Sequence, residues 1–333
     1  MRAMLTTVFA AAVALYGATA AAEVTFKLGH TTFESHPNHD TAVRFKEAVE
    51  RLTKGEVKIQ IYPARQLGDV KELVQGVQFA TLDMAVLPTT AYSTQVPAMD
   101  AFQLPWLIGS YEHFANIALS PEAKAIMKSL DAHGTTALGV YDGGLRHFLS
   151  VKRPVRAIED FQGQKTRVAP SKLYMNIWKA VNVNPTPMAY GEVYTGLETG
   201  TLDAVEINLT SIQSEKLYEI AKNVTLTGQY FWPSLLVINK GKLDKLTPEQ
   251  RNAVVQAADE IVRPQVMAVE ELDKKLMVEL KTHGVTIIEP SPELLAAARQ
   301  RVQPVIDGYV KENPAIAGLV AAAERTRPAA SKP

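Results

Sequence analysis

The sequence has no cysteine in 333 residues, which excludes disulfides, thiolate metal sites and a lipid-anchored cysteine. It also lacks an excess of charge of either sign: 35 basic residues face 35 acidic ones, and the aromatics are not interleaved with basic clusters. That balance excludes nucleic acid as a partner. Beyond the N-terminus no apolar run reaches transmembrane length, so the mature chain neither spans nor inserts in a membrane. There is no Gly-x-Ser-x-Gly elbow, His-Glu-x-x-His pair, phosphate-cradling glycine loop or dinucleotide fingerprint. An enzyme is left open only if its catalytic groups meet in the fold.

At the N-terminus stand a basic start (Arg2), an apolar run from Met4 to Tyr16 and small residues through Ala22. This is the pattern of a secretory signal peptide over residues 1–22, with cleavage after Ala20 or Ala22. The mature protein is therefore expected in an extracytoplasmic space, a bacterial periplasm. Residues 323–333 read as a disordered tail.

The most informative internal feature is a repeat at an offset of 120 residues. Glu72, Gly76, Thr81, Leu82 and Asp83 recur as Glu192, Gly196, Thr201, Leu202 and Asp203. Each copy reads as a helix, a turn and an apolar strand, 84–87 and 204–207, which is an α/β unit feeding a buried sheet. Two such units predict two similar α/β lobes with a cleft between them. Alternation over Val24–Leu28 and Val57–Ile61 adds a strand–helix–strand unit to the first lobe. Asp142-Gly143-Gly144 is either the crossing to the second lobe or an ordinary turn. The expected division is 23–143 with 233–272 as lobe I, and 144–232 with 273–322 as lobe II.

Thr247-Pro248-Glu249-Gln250 is a capping box with proline at the first helical position. It opens an apolar helical stripe that continues to Gly284, about 50 Å at 1.5 Å per residue, with Pro264 expected to kink it. A helix of that length exceeds one lobe and is expected to cross both.

Arg167 stands at the C-terminal end of the strand Lys165–Val168, just before a helix. Ligands of open α/β sheets bind off the carboxyl ends of strands, and a guanidinium fork suits a planar carboxylate. Arg146, at the proposed crossing, is placed to reach the same anion. The rigid loop Asn184–Tyr190 delivers Tyr190 at a helix entrance, and Tyr230-Phe231-Trp232 marks the exit from the second lobe. Aromatics with polar tips suit a small organic anion, although core packing is the commoner fate of such rings. The loop bearing His30, His36 and His39, with Glu34, leaves a zinc or copper site as an alternative; its spacing matches no closed metal motif.

At these residues the chain resembles the solute-binding proteins of tripartite ATP-independent periplasmic (TRAP) transporters, the dicarboxylate-binding type. The resemblance covers the mature chain, through Leu28-Gly29-His30, Tyr62–Asp69, Phe102–Pro105, Arg146-His-Phe and above all Gly163–Val168 followed by Asn184–Tyr194. It implies a two-lobed α/β periplasmic-binding-protein fold, type II-like, with the long C-terminal helix crossing both lobes. It implies no catalysis and no cofactor, but capture of a small organic acid by lobe closure and delivery to a sodium-coupled membrane permease. The family's carboxylate-clamping arginine falls on Arg167, its second cleft arginine on Arg146 and its packing aromatic on Tyr190. The first strand's loop brings Thr31 and Thr32, and Trp232 joins them. Where many members read Gln-Glu-Asn-Pro, this chain reads Val205-Glu206-Ile207-Asn208. Either Asn208 supplies the amide one residue later, beside Glu206, or that contact is missing. Pro88 stands where sialic-acid-binding members carry an acid, which argues against sialic acid and leaves a hydroxy or sugar acid or an aromatic acid as ligand.

Overall fold

The structure, a computed structural model, describes residues 23–328, so the signal-peptide reading and the last five residues of the expected tail lie outside the described residues. The first lobe is built from β1 (Val24–His30), α1 (Pro37–Leu52), β2 (Val57–Tyr62), α2 (Val70–Gln78), β3 (Met84–Pro88), α3 (Tyr111–Ala118) and α4 (Pro121–Lys128). The chain crosses on β4 (Thr135–Ser150) into β5 (Lys165–Val168), α5 (Lys172–Ala180), β6 (Asn184–Pro187), α6 (Val193–Glu198), β7 (Ala204–Asn208), α7 (Leu209–Ser214) and β8 (Asn223–Thr225). It returns on β9 (Phe231–Asn239) and finishes with α8 (Lys240–Asp244), α9 (Pro248–Thr282), β10 (Thr286–Ile288), α10 (Pro292–Glu312) and α11 (Pro314–Thr326).

The strands run in the order β2-β1-β3-β9-β4-β7-β5-β6, with β8 attached to β4 and β10 to β8. β1 pairs in parallel with β2 and β3, as β5 does with β6 and β7. Two α/β lobes are thereby joined through the antiparallel strands β4 and β9.

The repeat is structural. In the first copy the Leu82 amide donates to the Gly76 carbonyl at 3.0 Å, and in the second Leu202 does the same to Gly196 at 2.9 Å. Asp83 Oδ2 accepts the Lys27 amide of β1 at 2.7 Å, and Asp203 Oδ2 accepts the Lys165 amide of β5 at 2.9 Å. In each lobe the aspartate therefore satisfies an amide on the strand next to its own. Both glycines allow close approach: a Cβ would lie 3.1 Å from Leu82 at Gly76 and 2.7 Å from Leu202 at Gly196, so the leucine would have to shift in either copy.

Three local expectations change. Asp142-Gly143-Gly144 is not a turn between elements but a bulge inside the 16-residue β4, where the register to β9 shifts between Asp142 and Leu145. Asn184–Pro187, expected as a loop, is an edge strand; Pro185 and Pro187 are tolerated because no further strand asks for their missing donors. The tail does not begin at residue 323, since α11 runs to Thr326 with Leu319 and Ala323 fully buried. α11 packs on α3 and α4 of the first lobe, and the Ala323 carbonyl lies 2.9 Å from His113 Nε2, so residues 314–322 do not belong with lobe II. Proline-led caps and a strong apolar face make it a packed helix.

The long helix α9 forms as its capping box predicts. Thr247 accepts the Gln250 amide at 3.2 Å, Gln250 reaches back to the Thr247 amide, and the helix continues for 35 residues through Pro264. It packs on α1 and α3 of the first lobe and α7 of the second.

Candidate functional site

A cavity of about 580 Å³ opens between the lobes. β5 ends at its inner wall and presents Arg167, while β4, just past its bulge, presents Arg146; Trp232, Tyr190 and Thr31 complete that end.

The two arginines are in different electrostatic states. Arg146 is ion-paired with Glu206, Nε to Oε2 at 2.5 Å, and its Nη2 donates to the Glu206 carbonyl. Tyr230 donates to the same Oε2 at 3.0 Å, and Trp178 Nε1 donates to the Tyr230 hydroxyl at 3.2 Å. Burial alone would depress the Arg146 pKa, but the Glu206 carboxylate outweighs it and the net shift is upward. Arg167 is 3% exposed, and among the described residues no carboxylate lies within ion-pair distance of it. Its Nε donates to the Met188 carbonyl at 3.1 Å, which fixes the guanidinium plane and leaves the Nη1/Nη2 edge for a ligand. Burial first, and Arg146 second, bring its pKa down to about 10, so it stays a cation at neutral pH. The inner end of the cavity thus holds one positive charge without a partner. A buried charge of that kind is costly unless an anion completes it.

Tyr190 and Trp232 form the aromatic wall, with ring centroids 6.3 Å apart and planes at 26°. Arg146 lies over Trp232 at 5.8 Å and Arg167 over Tyr190 at 5.9 Å. The Tyr190 hydroxyl donates to Ser211 Oγ at 3.1 Å. Gly143 is obligatory behind this wall, because a Cβ there would stand 2.3 Å from Trp232.

Of the residues expected to touch ligand, Arg167, Arg146, Tyr190, Thr31 and Trp232 line the cavity. Thr32, Glu206 and Asn208 do not. Thr32 is turned to His30, Oγ1 to Nδ1 at 3.1 Å. Glu206 is spent on Arg146. The Asn208 amide donates to the Gly143 carbonyl at 2.5 Å and to Thr210, bracing the β4 bulge. All three are supports of the wall: the antiparallel pairing of β4 with β7 holds Glu206 and Asn208 in the interior, and Thr32, in the loop after β1, is held by His30.

Sequence reasoning missed the polar side of the cavity, where Gln75 and Gln78 of α2 face Thr90, Thr94 and Gln95. The signal was present: Lys71, Gln75 and Gln78 fall on one face of the helix, opposite buried Leu73 and Val77. At the rim Arg65 grips Glu215 of the second lobe through two contacts of 3.2 and 3.3 Å, and the Gly191 amide donates to Asp69 Oδ2 at 3.2 Å. These contacts tie the lobes together across the cleft. A larger cavity of about 920 Å³ shares Thr90, Thr94 and Pro170 with this one, but its lining cation, Lys172, is exposed. Of the two, only the smaller cavity is lined by a buried arginine.

The histidines of the first loop are engaged in hydrogen bonds. His30 Nε2 meets His39 Nδ1 at 3.1 Å; His36 Nδ1 accepts the Asn38 amide at the start of α1, leaving Nε2 to donate to Ser211 Oγ at 3.2 Å. No cluster of three or more His, Asp or Glu able to hold a metal occurs among the described residues. Burial drives the pKa of His30 and His36 down to about 3, aided by His39 for the first and by His30 and Arg146 for the second.

An imidazole held neutral in the fold takes its proton first in the unfolded chain. Its contribution is intact above the unfolded value of about 6.5 and is lost as pH falls toward the folded value. Asp100 and Asp273, raised to about 6 by burial, act in the opposite sense below that pH. Comparing a variant with its parent isolates the histidine. Urea unfolding at pH 7 and pH 5 is expected to show that His36→Gln flattens the loss of stability on acidification, by up to about 1.4 kcal/mol per pH unit. Equal pH slopes would show that His36 is not held neutral.

The sequence profile of the bacterial extracellular solute-binding protein family 7 matches residues 28–313. The chain is 29% identical over 327 residues, 98% of its length and 99% of the relative's, to the 2,3-diketo-L-gulonate-binding periplasmic protein of Escherichia coli K12. A TRAP periplasmic solute-binding protein of Polaromonas sp. JS666, solved bound to D-erythronate, superposes with a TM-score of 0.86 at 28% identity, covering 92% of this chain and 100% of that one. One from Sulfitobacter sp. NAS-14.1, with bound β-D-galacturonate, gives 0.82 at 29% identity over 89% and 98% of the two chains. These are ligand-binding proteins of transporters, not enzymes, and with the match over residues 28–313 the chain belongs to bacterial extracellular solute-binding protein family 7, the solute-binding proteins of TRAP transporters.

Proposed function

We propose that this chain captures a sugar monocarboxylate, an aldonate or uronate, in the periplasm and hands it to the membrane subunits of a sodium-coupled TRAP permease. The observation that carries the reading is the buried Arg167, fixed through Nε to Met188 and lacking a carboxylate partner, at the inner end of a 580 Å³ cavity. Such a volume lies within the roughly 300–1,000 Å³ common for small-molecule sites. With Arg146 neutralised by Glu206, Arg167 is the buried cation that remains for a carboxylate; Lys71, also on the lining, is exposed. The amides of Gln75 and Gln95 and the hydroxyls of Thr90 and Thr94 suit a polyol chain better than an aromatic ring. Pro88 on the cavity wall offers no acid to a sialic acid. The relatives named above, which bind sugar acids, support the same choice.

Residues 23–143 with 233–272 form one closing body and 144–232 with 273–313 the other, hinged where β4 and β9 cross. Arg65–Glu215 and Asp69–Gly191 hold the closed rim. A ligand favouring the closed form shifts its population by its differential affinity for the two states, and this shift is what the permease reads.

Thermal unfolding of ligand-stripped protein against a panel of acids tests the reading. At 1,000 times its Kd a ligand adds about 4 kcal/mol, a rise of several degrees. A rise with galactonate or galacturonate and none with succinate or phenylacetate is expected. A response confined to succinate or phenylacetate would overturn the ligand class, and silence across the whole panel would overturn the receptor reading.

A further inference from the structure

Alternation along a strand sends neighbouring side chains to opposite faces. Arg146 and Trp232 face the ligand cavity, and their neighbours Leu145 and Phe231, paired across β4 and β9, line a different one of about 450 Å³. A third cavity, about 580 Å³, meets it at Trp106, Arg299 and Arg327.

We propose that Arg299 and Arg327 form a second binding site, for a small oxyanion carrying a carboxylate or phosphate group, where these two cavities meet.

Four observations support it. The Arg299 guanidinium lies 4.9 Å from the centre of the Trp106 ring, and among the described residues no carboxylate lies within ion-pair distance of it. Arg327 is anchored through Nη2, to the Leu107 carbonyl at 2.9 Å and to Glu324 at 2.8 Å, while its buried Nε–H has no acceptor among the described residues. Among the described residues two guanidiniums thus stand together against one ion-paired carboxylate, that of the exposed Glu324, leaving one positive charge over. Finally, Trp106 has φ +55°, a left-handed conformation a bulky residue adopts only under strain. The strain is held by its amide, which donates to the Gln229 carbonyl at 2.7 Å, and the turn places the indole under Arg299. Burial, and then the neighbouring Arg327, lower the Arg299 pKa, as expected of two cations that share a site. Concavity selects a small ion over a flat protein surface, and the donor forks select an oxyanion.

The test uses the full mature chain carrying Arg167→Ala, so that the cleft clamp is silent. Thermal unfolding is followed against inorganic phosphate and against acetate at constant ionic strength, with chloride as control. A saturable rise with phosphate or acetate is expected, and the stronger of the two identifies the oxyanion preferred. Adding Arg299→Gln should raise the half-saturation concentration at least tenfold. Adding Glu324→Gln instead, at an exposed position that folding tolerates, should lower it several-fold by removing the competing carboxylate. A response no larger than that to chloride, or one that neither substitution alters, would overturn the proposal.

Discussion

Replacing Arg167 with alanine is expected to weaken binding of the proposed sugar acid by at least tenfold, measured by titration calorimetry on the ligand-stripped protein. A charge-assisted hydrogen bond contributes about 1.5–3 kcal/mol net, or roughly 10- to 150-fold, and the free Nη1/Nη2 edge offers two of them. The site begins with a buried cation that has no counter-charge, so the ligand carboxylate both gains these bonds and relieves that cost. Arg167→Lys separates the two contributions. Lysine keeps the charge but has neither the planar fork nor the Nε contact to Met188 that orients it, so affinity should fall and discrimination between carboxylates should narrow. Micromolar binding needs about 8 kcal/mol, more than one arginine supplies, so the amides of α2 and the aromatic wall must contribute the rest. Unchanged affinity in the alanine variant would remove Arg167 from the site and leave Arg146 as the anion contact.

Glu206→Ala is expected to destabilise the fold by about 3–5 kcal/mol, because it strands the Arg146 guanidinium in the interior. Both groups are almost wholly buried, at 2% and 0% exposure, and Tyr230 loses its acceptor with the carboxylate. The denaturant midpoint at pH 7 is the measurement. Pairing Glu206→Leu with Arg146→Met should recover most of the loss, since a buried ion pair replaced by apolar groups of similar size is often neutral. A loss below about 1 kcal/mol for Glu206→Ala would mean that water or a shift of Arg146 relieves the charge, and that the pair does not set the wall of the cavity. The two substitutions also separate the roles of two arginines that look equivalent in sequence: loss at Arg167 affects the ligand, and loss at Glu206 affects the fold.

Much of the architecture was legible because it rests on short-range rules. The repeat at residues 72–83 and 192–203 announced two α/β units, and the structure gives both the same glycine–leucine contact and the same aspartate bond to the neighbouring strand. The Thr247 capping box fixed the start of α9, and Arg167 at the end of β5 pointed into the cleft. Less legible were features set by contacts between distant segments. Glycines at 143 and 144 left a crossing and an ordinary turn both open; they lie within β4, on which the chain crosses, and β9 and the Asn208 side chain brace the bulge there. The last turn of α11, residues 323–326, read as tail, yet the first lobe supplies the surface that buries the helix's apolar face.

By itself, then, the sequence determined the class of the capped and strongly periodic elements, the doubling of the lobe and the presence of an arginine suited to a carboxylate, since caps, periodicity and strand ends are encoded within a few residues. Only the tertiary structure decided which arginine is free. Arg146 and Glu206 are 60 residues apart and meet through the pairing of β4 with β7. That register neutralises one guanidinium and leaves the other for the ligand. The same register turned Glu206 and Asn208 from contacts into supports, while packing elsewhere in the first lobe turned Thr32 to His30 and brought the glutamines of α2 to the cavity, because pairing and burial depend on where distant segments pack.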